Sequence, residues 1–249
     1  MKPAAHHFLG KIVKMATIPI PAPSEKLLGF ASGDVRARPF KLLRTMIGRQ
    51  LDEGRTNVIG ITSASPNAGK SFTASNLAAA MSRIASQKVI LADLDLQRAS
   101  VAEIFGIEEP PGIADFLLDE TVKLTEVMRQ VGDTCLSIAP TLRRQADSAM
   151  LLAGDRFADM IRTWKEDPAH PTVVCDLPPL FVSDDAMLAA QHLDGVIVVV
   201  EQGVTTKKQL EASLQLLYPV KLMGTVFNRF SGGVGDPYGY GDGYGSYYS

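Results

Sequence analysis

Short apolar runs alternate along this chain with stretches whose apolar residues recur at helical spacing. The runs Val58–Thr62, Val89–Ala92, Cys135–Ala139, Thr172–Cys175, Gly195–Val200 and Leu222–Phe227 predict strands. Between them Lys70–Ser86 (alanine-rich), Ala99–Phe105, Ile113–Leu118, Ala149–Trp164, Ala186–His192 and Lys207–Leu217 predict helices. An earlier helix is predicted over Pro39–Glu53: Pro39 suits a first turn, Phe40, Leu43, Ile47 and Leu51 share a face, and Gly54 can stop it. Short apolar strands separated by helices indicate βαβ units, hence an α/β fold with a mainly parallel, doubly wound sheet flanked by helices. In such sheets ligands sit at the carboxyl ends of the strands.

The pattern fades at both ends. Residues 1–33 read as a flexible, proline-containing leader, because Ile18–Ser24 alternates prolines in a way that favours extended backbone. Residues 34–230 form the predicted domain. After Phe230 the composition turns abruptly to Gly, Asp and Tyr, so 231–249 is expected to be a disordered tail. Five of the six tyrosines fall in that tail: Tyr238, Tyr240, Tyr244, Tyr247 and Tyr248. Only Tyr218 lies in the body, although tyrosine is usually retained because it packs. A sticky low-complexity end is the plain reading of such a tail. Phenol hydroxyls matter more if the same chain can transfer phosphate.

Composition narrows the class. The 249 residues suffice for one α/β domain with appendages, and a net charge of −2 gives no concentrated basic face for nucleic acid. Cys135 and Cys175 lie far apart without CxxC spacing, which speaks against a disulfide framework or zinc site and for a reducing cytoplasm. No apolar run approaches the ~18–20 residues of a spanning helix. Phe8–Met15 is interrupted by Gly10, Lys11 and Lys14, a poor core for a signal peptide. Any work at a membrane is expected to go through a partner.

The candidate chemistry lies at the predicted strand ends. Thr62–Ser71 (TSASPNAGKS) follows a strand and opens a helix, the context in which backbone N–H groups and a helix N-terminus cradle phosphates, so a P-loop NTPase fold is expected. Lys70 would bridge the β- and γ-phosphates, the Ser71 hydroxyl would bind Mg²⁺, and Gly69 keeps the backbone close; Ala68 and Phe72 flank them in the same cradle. The usual first glycine is Ala64. Asp176 ends an apolar strand before Leu-Pro-Pro, where P-loop enzymes hold Mg²⁺ through water. Asp93-Leu-Asp95-Leu-Gln-Arg98 follows the strand Val89–Ala92; Asp93 and Asp95 would point the same way, which is unfavourable unless a cation or substrate uses them.

Taken in order, TSASPNAGKS, LADLDLQR, VVCDLPP, the terminal strand GTVFN and the tyrosine cluster resemble the cytoplasmic kinase module of bacterial tyrosine autokinases that control capsule and exopolysaccharide export, over roughly residues 36–249. Relatives of the MinD/ParA type share the acidic strand ends, but their phosphate loop carries an additional lysine where this chain has Ser65, and they have no use for the tail. The resemblance implies ATP and Mg²⁺ held by Lys70 and Ser71, with Asp176 and one of Asp93 and Asp95 serving the metal. The other aspartate, Asp93 by preference, would accept the hydrogen bond of an incoming tyrosine. Arg98 would stabilise developing phosphate charge, Asn228 would lie beside the adenine, and Asp184 or Asp185 would support the site from outside. The five tail tyrosines would be the phosphoacceptors, modified in trans by a neighbouring copy.

The resemblance also implies partners: further copies of the chain, the cytoplasmic tail of a membrane co-polymerase that regulates chain length, and a phosphotyrosine phosphatase. These place the protein in the cytoplasm, at the inner membrane through that partner. The family's Glu-x-x-Arg-x-x-Arg ring motif reads Arg38, Lys41, Arg44 here; acid has become base, so the motif cannot pair with itself. Pro39 is further expected to turn Arg38 away from helical backbone. Gln97 stands where the family often has arginine. An ATPase switch without kinase activity, or a non-catalytic assembly scaffold, are the competing readings.

Overall fold

The computed structural model of the chain describes residues 7–8, 11–12, 15–31, 33–84 and 87–230. In chain order these form β1 (His7–Phe8) and β2 (Lys11–Ile12), an antiparallel pair, then β3 (Ala16–Ile18), one 3-10 turn at Val35–Ala37 and α1 (Arg38–Gly48). There follow β4 (Asn57–Ser63), α2 (Lys70–Met81), β5 (Val89–Asp93), α3 (Val101–Phe105), α4 (Ile113–Leu118), α5 (Leu124–Val127), β6 (Arg129–Val131) and β7 (Leu136–Ala139). The remainder is α6 (Ser148–Leu152), α7 (Asp155–Lys165), β8 (Thr172–Asp176), α8 (Asp185–Ala190), β9 (Gly195–Glu201), α9 (Lys207–Leu217) and β10 (Leu222–Asn228).

Eight strands make one sheet in the order β10-β9-β4-β8-β5-β7-β6-β3. Every pairing is parallel except β6 with β7. The central strands β4, β5 and β8 are buried along their whole length, which is why they read as unbroken apolar runs. Within them the pleat still divides the side chains. Val58, Ile90 and Val173 join a core with Phe157, Met160 and Trp164 of α7 and Ala186 and Ala189 of α8. Ile59, Ile61, Leu91 and Val174 face the opposite core, built on α2, α1 and α3. The strand order places β4, β8 and β5 side by side, so their carboxyl ends converge on one edge of the domain.

Several expectations are corrected. The first helix ends at Gly48 and the second at Met81, both short of Glu53 and Ser86. Ala149–Trp164 is two helices, because Gly154 has the extended backbone (φ −80°, ψ 155°) of an N-cap for α7. Arg38 is helical (φ −56°, ψ −45°) despite the following proline, carried into α1 by the 3-10 turn before it. The expected leader is held to the domain at two places, although residues 22–26 between them are exposed. β3 pairs with β6 at the sheet edge, Leu27 and Leu28 are buried, and Asn76 in mid-α2 clamps the segment. Its side-chain oxygen accepts from Leu28 N (2.6 Å) and Gly29 N (2.8 Å), and its amide donates to Lys26 O at 3.0 Å. Gly29 permits this approach, since a Cβ there would stand 2.5 Å from the Asn76 carbonyl. The tail tyrosines lie outside the described residues.

Candidate active site

The phosphate loop leaves β4 at Ser63 and enters α2 at Lys70. Two residues take left-handed backbone to make the turn, Asn67 at φ 63° and Gly69 at φ 93°. Gly69 meets a second demand: a Cβ there would come within 2.1 Å of Asn228 Nδ2. Asn228, the last residue of β10, donates to the Ala68 carbonyl at 2.8 Å and so ties the sheet edge to the loop. The other limb is pinned by the turn after β8, where Leu180 N donates to Ser63 O (2.9 Å) and Phe181 N to Ala64 O (3.1 Å). Among the described residues no side chain caps α2, so the amides of its first turn remain available to an anion.

Around this helix start the structure gathers Lys70, Ser71, Asp95 and Asp176. Lys70 is 7% exposed, with Nζ 4.0 Å from Asp95 Oδ2. Asp95 Oδ1 accepts from Arg98 N at 3.1 Å. Burial raises the Asp95 pKa, against the pull of Lys70. Asp176 is fully buried, and neither of its carboxylate oxygens has a well-formed hydrogen bond among the described residues. Burial pushes its pKa up to about 7, while Lys70 and the nearby Ser71 hydroxyl hold it down and Asp95 adds repulsion. An orphaned buried carboxylate beside a lysine, a serine and an uncapped helix fits Mg²⁺ with a nucleotide phosphate. Among the described residues no three acidic, His or Cys side chains form a ready metal cage, so phosphate and water would complete such a coordination shell.

Asp93 lies beside Asp176, with its Oδ1 lacking a well-formed hydrogen bond among the described residues, but its other oxygen is tied to α3. It pairs in register with Asp176 across β5 and β8 and has no exposure. Its Oδ2 accepts from Ser100 N (3.1 Å) and Val101 N (3.0 Å) at the start of α3. Burial and then the charge of Asp176 raise its pKa well above the ordinary range. The two aspartates therefore have different partners rather than presenting together. Phe72 turns toward α1 and stacks edge-on with Phe40, ring centroids 5.4 Å apart. Arg98 is exposed on the loop. Of the basic register on α1, Arg44 points inward, donating to Ala80 O at 3.0 Å.

Behind the acidic loop is a set of contacts the sequence did not reveal. Gln97 Nε2 donates to Ser148 Oγ (2.9 Å) and Asp185 Oδ2 (3.2 Å), and Ser148 Oγ donates to the same Asp185 oxygen at 2.6 Å. Of the two acids, Asp185 is thus the one that contacts the acidic loop, whereas Asp184 precedes α8 as its N-cap. Ser148 carried no motif; only its place in the fold exposes it.

Residues 54–228 match the ParA family model, described as a NUBPL iron-transfer P-loop NTPase. Over 199 residues the chain is 28% identical to the tyrosine-protein kinase Ptk of Acinetobacter johnsonii, a match covering 79% of this chain and 27% of that protein. The chain thus spans little more than a quarter of the length of the curated relatives it matches. The kinase domain of Escherichia coli tyrosine kinase Etk has the same fold, with a TM-score of 0.73 at 24% identity over 88% of this chain and 92% of that one. MinD of Pyrococcus horikoshii, solved with Mg-ADP, is similar at TM-score 0.59 and 19% identity, covering 70% and 71%.

Proposed function

The chain belongs to the ParA family of P-loop NTPases, and from that premise we propose that it is an ATP-dependent protein-tyrosine kinase that phosphorylates the tyrosine tail of a neighbouring copy. One observation carries the reading: Lys70, Ser71 and the orphaned Asp176 meet at an uncapped helix in a chain that ends in five tyrosines. The kinase names of its curated relatives support it.

The α2 amides and Lys70 bind and orient the phosphates, and Ser71 and Asp176 are the residues that would hold Mg²⁺. Mg²⁺, when bound, neutralises charge on the phosphates. In this reading Asp95 rather than Asp93 acts as base; its contact with Lys70, and the bonds that tie Asp93 to α3, support that choice. Asp95 accepts the phenol proton as the phenolic oxygen bonds to the γ-phosphorus and the bond to the ADP oxygen breaks. Lys70 favours the ionised form of Asp95 that this requires. Arg98, exposed beside it, can steady the charge that develops. Asn228 shapes the loop through Ala68, a place from which it can also border the base of the nucleotide.

By the same reading the chain works in the cytoplasm at the inner membrane. A membrane co-polymerase there would supply the activating segment, with control of exopolysaccharide or capsule export as the outcome and a phosphatase to reset the tail. Among the described residues no helix is long and apolar enough to cross a membrane. Incubation with Mg·ATP followed by phosphotyrosine detection and mass-spectrometric mapping of 231–249 tests the activity and its acceptors together. No label in the wild type, or the same label in Lys70→Ala, would remove it. The fold likeness to MinD favours a second reading, an ATPase switch, which phosphate release without tyrosine label would select. Iron transfer gains no support from Cys135 and Cys175, which share no spacing motif.

A further inference from the structure

We propose that Gln97, Ser148 and Asp185 are positioning residues for phosphoryl transfer, a joint with two buried members and one half-buried that sets the 94–98 loop and with it Asp95 and Arg98; the proposal rests on the kinase reading above. The joint ties three separate segments. Gln97 belongs to the loop between β5 and α3, Ser148 opens α6 and Asp185 opens α8. Two of the three bonds, from Gln97 Nε2 at 3.2 Å and Ser148 Oγ at 2.6 Å, converge on one oxygen, Asp185 Oδ2, and the third closes the triangle from Gln97 Nε2 to Ser148 Oγ at 2.9 Å. Backbone contacts brace the same loop: Arg98 N and Ala99 N donate to Asp95 O at 3.2 and 2.8 Å, and Gln145 N to Leu96 O at 2.9 Å. The side-chain joint therefore does more than hold the chain trace. It decides how the loop sits against α6 and α8, two helices on the side of the sheet opposite α2.

The chemistry of the joint is demanding for a purely structural tie. Asp185 and Ser148 are each 1% exposed, and Asp185 Oδ1 has no hydrogen-bond partner among the described residues. A buried carboxylate that is only half satisfied is disfavoured, and an apolar contact would hold α6 to α8 more cheaply. Its presence near Asp95, within a joint that ties the 94–98 loop to α6 and α8, points to a task at the site. Positioning is the task that geometry allows, because none of the three side chains lies among the residues gathered at the helix start. Loop displacement of about 1 Å can cost ~10²-fold in rate when the chemistry depends on alignment.

The bonding has a direction, and this supplies the test. Gln97 donates, Asp185 accepts, and Ser148 does both. Gln97→Glu places two carboxylates face to face. Adding Asp185→Asn restores the pattern with its sense reversed, Asn donating to Ser148 and Ser148 donating to Glu. The full chain is assayed with Mg·ATP for the rate of tail phosphorylation and with a fluorescent ATP analogue for nucleotide affinity. Ser148→Ala and Gln97→Glu are expected to lower kcat by ~10- to 100-fold while KM for ATP and analogue affinity stay within about twofold. The reversed double variant is expected to regain most of the kcat lost in Gln97→Glu. An unchanged kcat in Ser148→Ala, a fall in nucleotide affinity in step with kcat, or a double variant no better than Gln97→Glu would each overturn the proposal. Should Gln97→Glu fail to fold, Ser148→Ala carries the decision alone. Wild-type protein that binds Mg·ATP yet labels no tyrosine would instead sink the kinase reading, and the joint is then judged by the same thresholds on phosphate release.

Discussion

Asp176 combines full burial with two oxygens that have no well-formed hydrogen bond among the described residues, and the consequence is a carboxyl group that titrates near neutrality. Its pKa rises from 3.8 to about 7, so between those values the folded chain retains a proton that the unfolded chain releases. The stability this confers is present below about pH 4 and is lost as pH rises through about 7. In the absence of nucleotide, Asp176→Asn is therefore expected to raise Tm at pH 8 and to lose that gain near pH 5, by about 2–4 °C for each kcal/mol in a domain of this size. Thermal melts at the two pH values check it; equal shifts at both would count against a buried, protonated acid. Lys70→Ala is expected to lower kcat by at least ~10²-fold, because a preorganised cation is lost where charge develops, and rapid-quench labelling with Mg·ATP measures it. The sequence made both residues legible, since each stands next to a motif with a known mechanical reason. It did not separate Asp93 from Asp95. Two aspartates in D-x-D are equivalent in a string, and only the start of α3, which takes Asp93 for its amides, distinguishes them.

Strands and helices with strong patterns stand where periodicity places them, and those with weak patterns do not. β6 is three residues, Arg-Gln-Val, too short and too polar to announce itself. It is held by Arg129, whose buried guanidinium donates to the carbonyls of Glu109, Pro111, Glu126 and Val127. β3 is invisible for the same reason and exists because β6 offers it an edge. The clamp of residues 26–29 onto α2 shows how far this reaches. Asn76→Ala would strand the Leu28 and Gly29 amides in a buried setting, an expected loss of roughly 2–4 kcal/mol by urea denaturation. Gly69→Ala is expected to weaken binding of Mg·ATP by at least ~10-fold in calorimetric titration, since the new methyl collides with Asn228 and must adopt a left-handed backbone.

At the scale of the molecule, the packed clusters among the described residues lie within residues 15–226, while the candidate acceptors lie beyond 230. Removal of 231–249 is accordingly expected to abolish tyrosine labelling and leave Tm and Mg·ATP affinity near wild type; a collapse of Tm would show that the tail belongs to the fold. Phosphorylating all five tyrosines would add roughly −8 to −10 charges. That is several times the net charge of −2, so repulsion between copies should rise and any oligomer should loosen. Light scattering before and after reaction, repeated at high salt, tests whether the change is electrostatic.

What the sequence determined by itself is whatever depends on neighbours along the chain: the α/β order, the strand–loop–helix of the phosphate site, and the chemical identity of Lys70, Ser71 and Asp176. Those features rest on local periodicity and on turns whose residue types have few substitutes. What tertiary structure alone decided depends on residues remote in sequence meeting in space. It gave Asp93 and Asp95 different partners, drew the stretch before α1 onto α2, set Asn228 against Gly69, and joined Gln97 to Ser148 and Asp185 across three segments. Burial and hydrogen-bond partners are properties of the packed molecule, and no string of residues carries them until the sheet has brought its strand ends together.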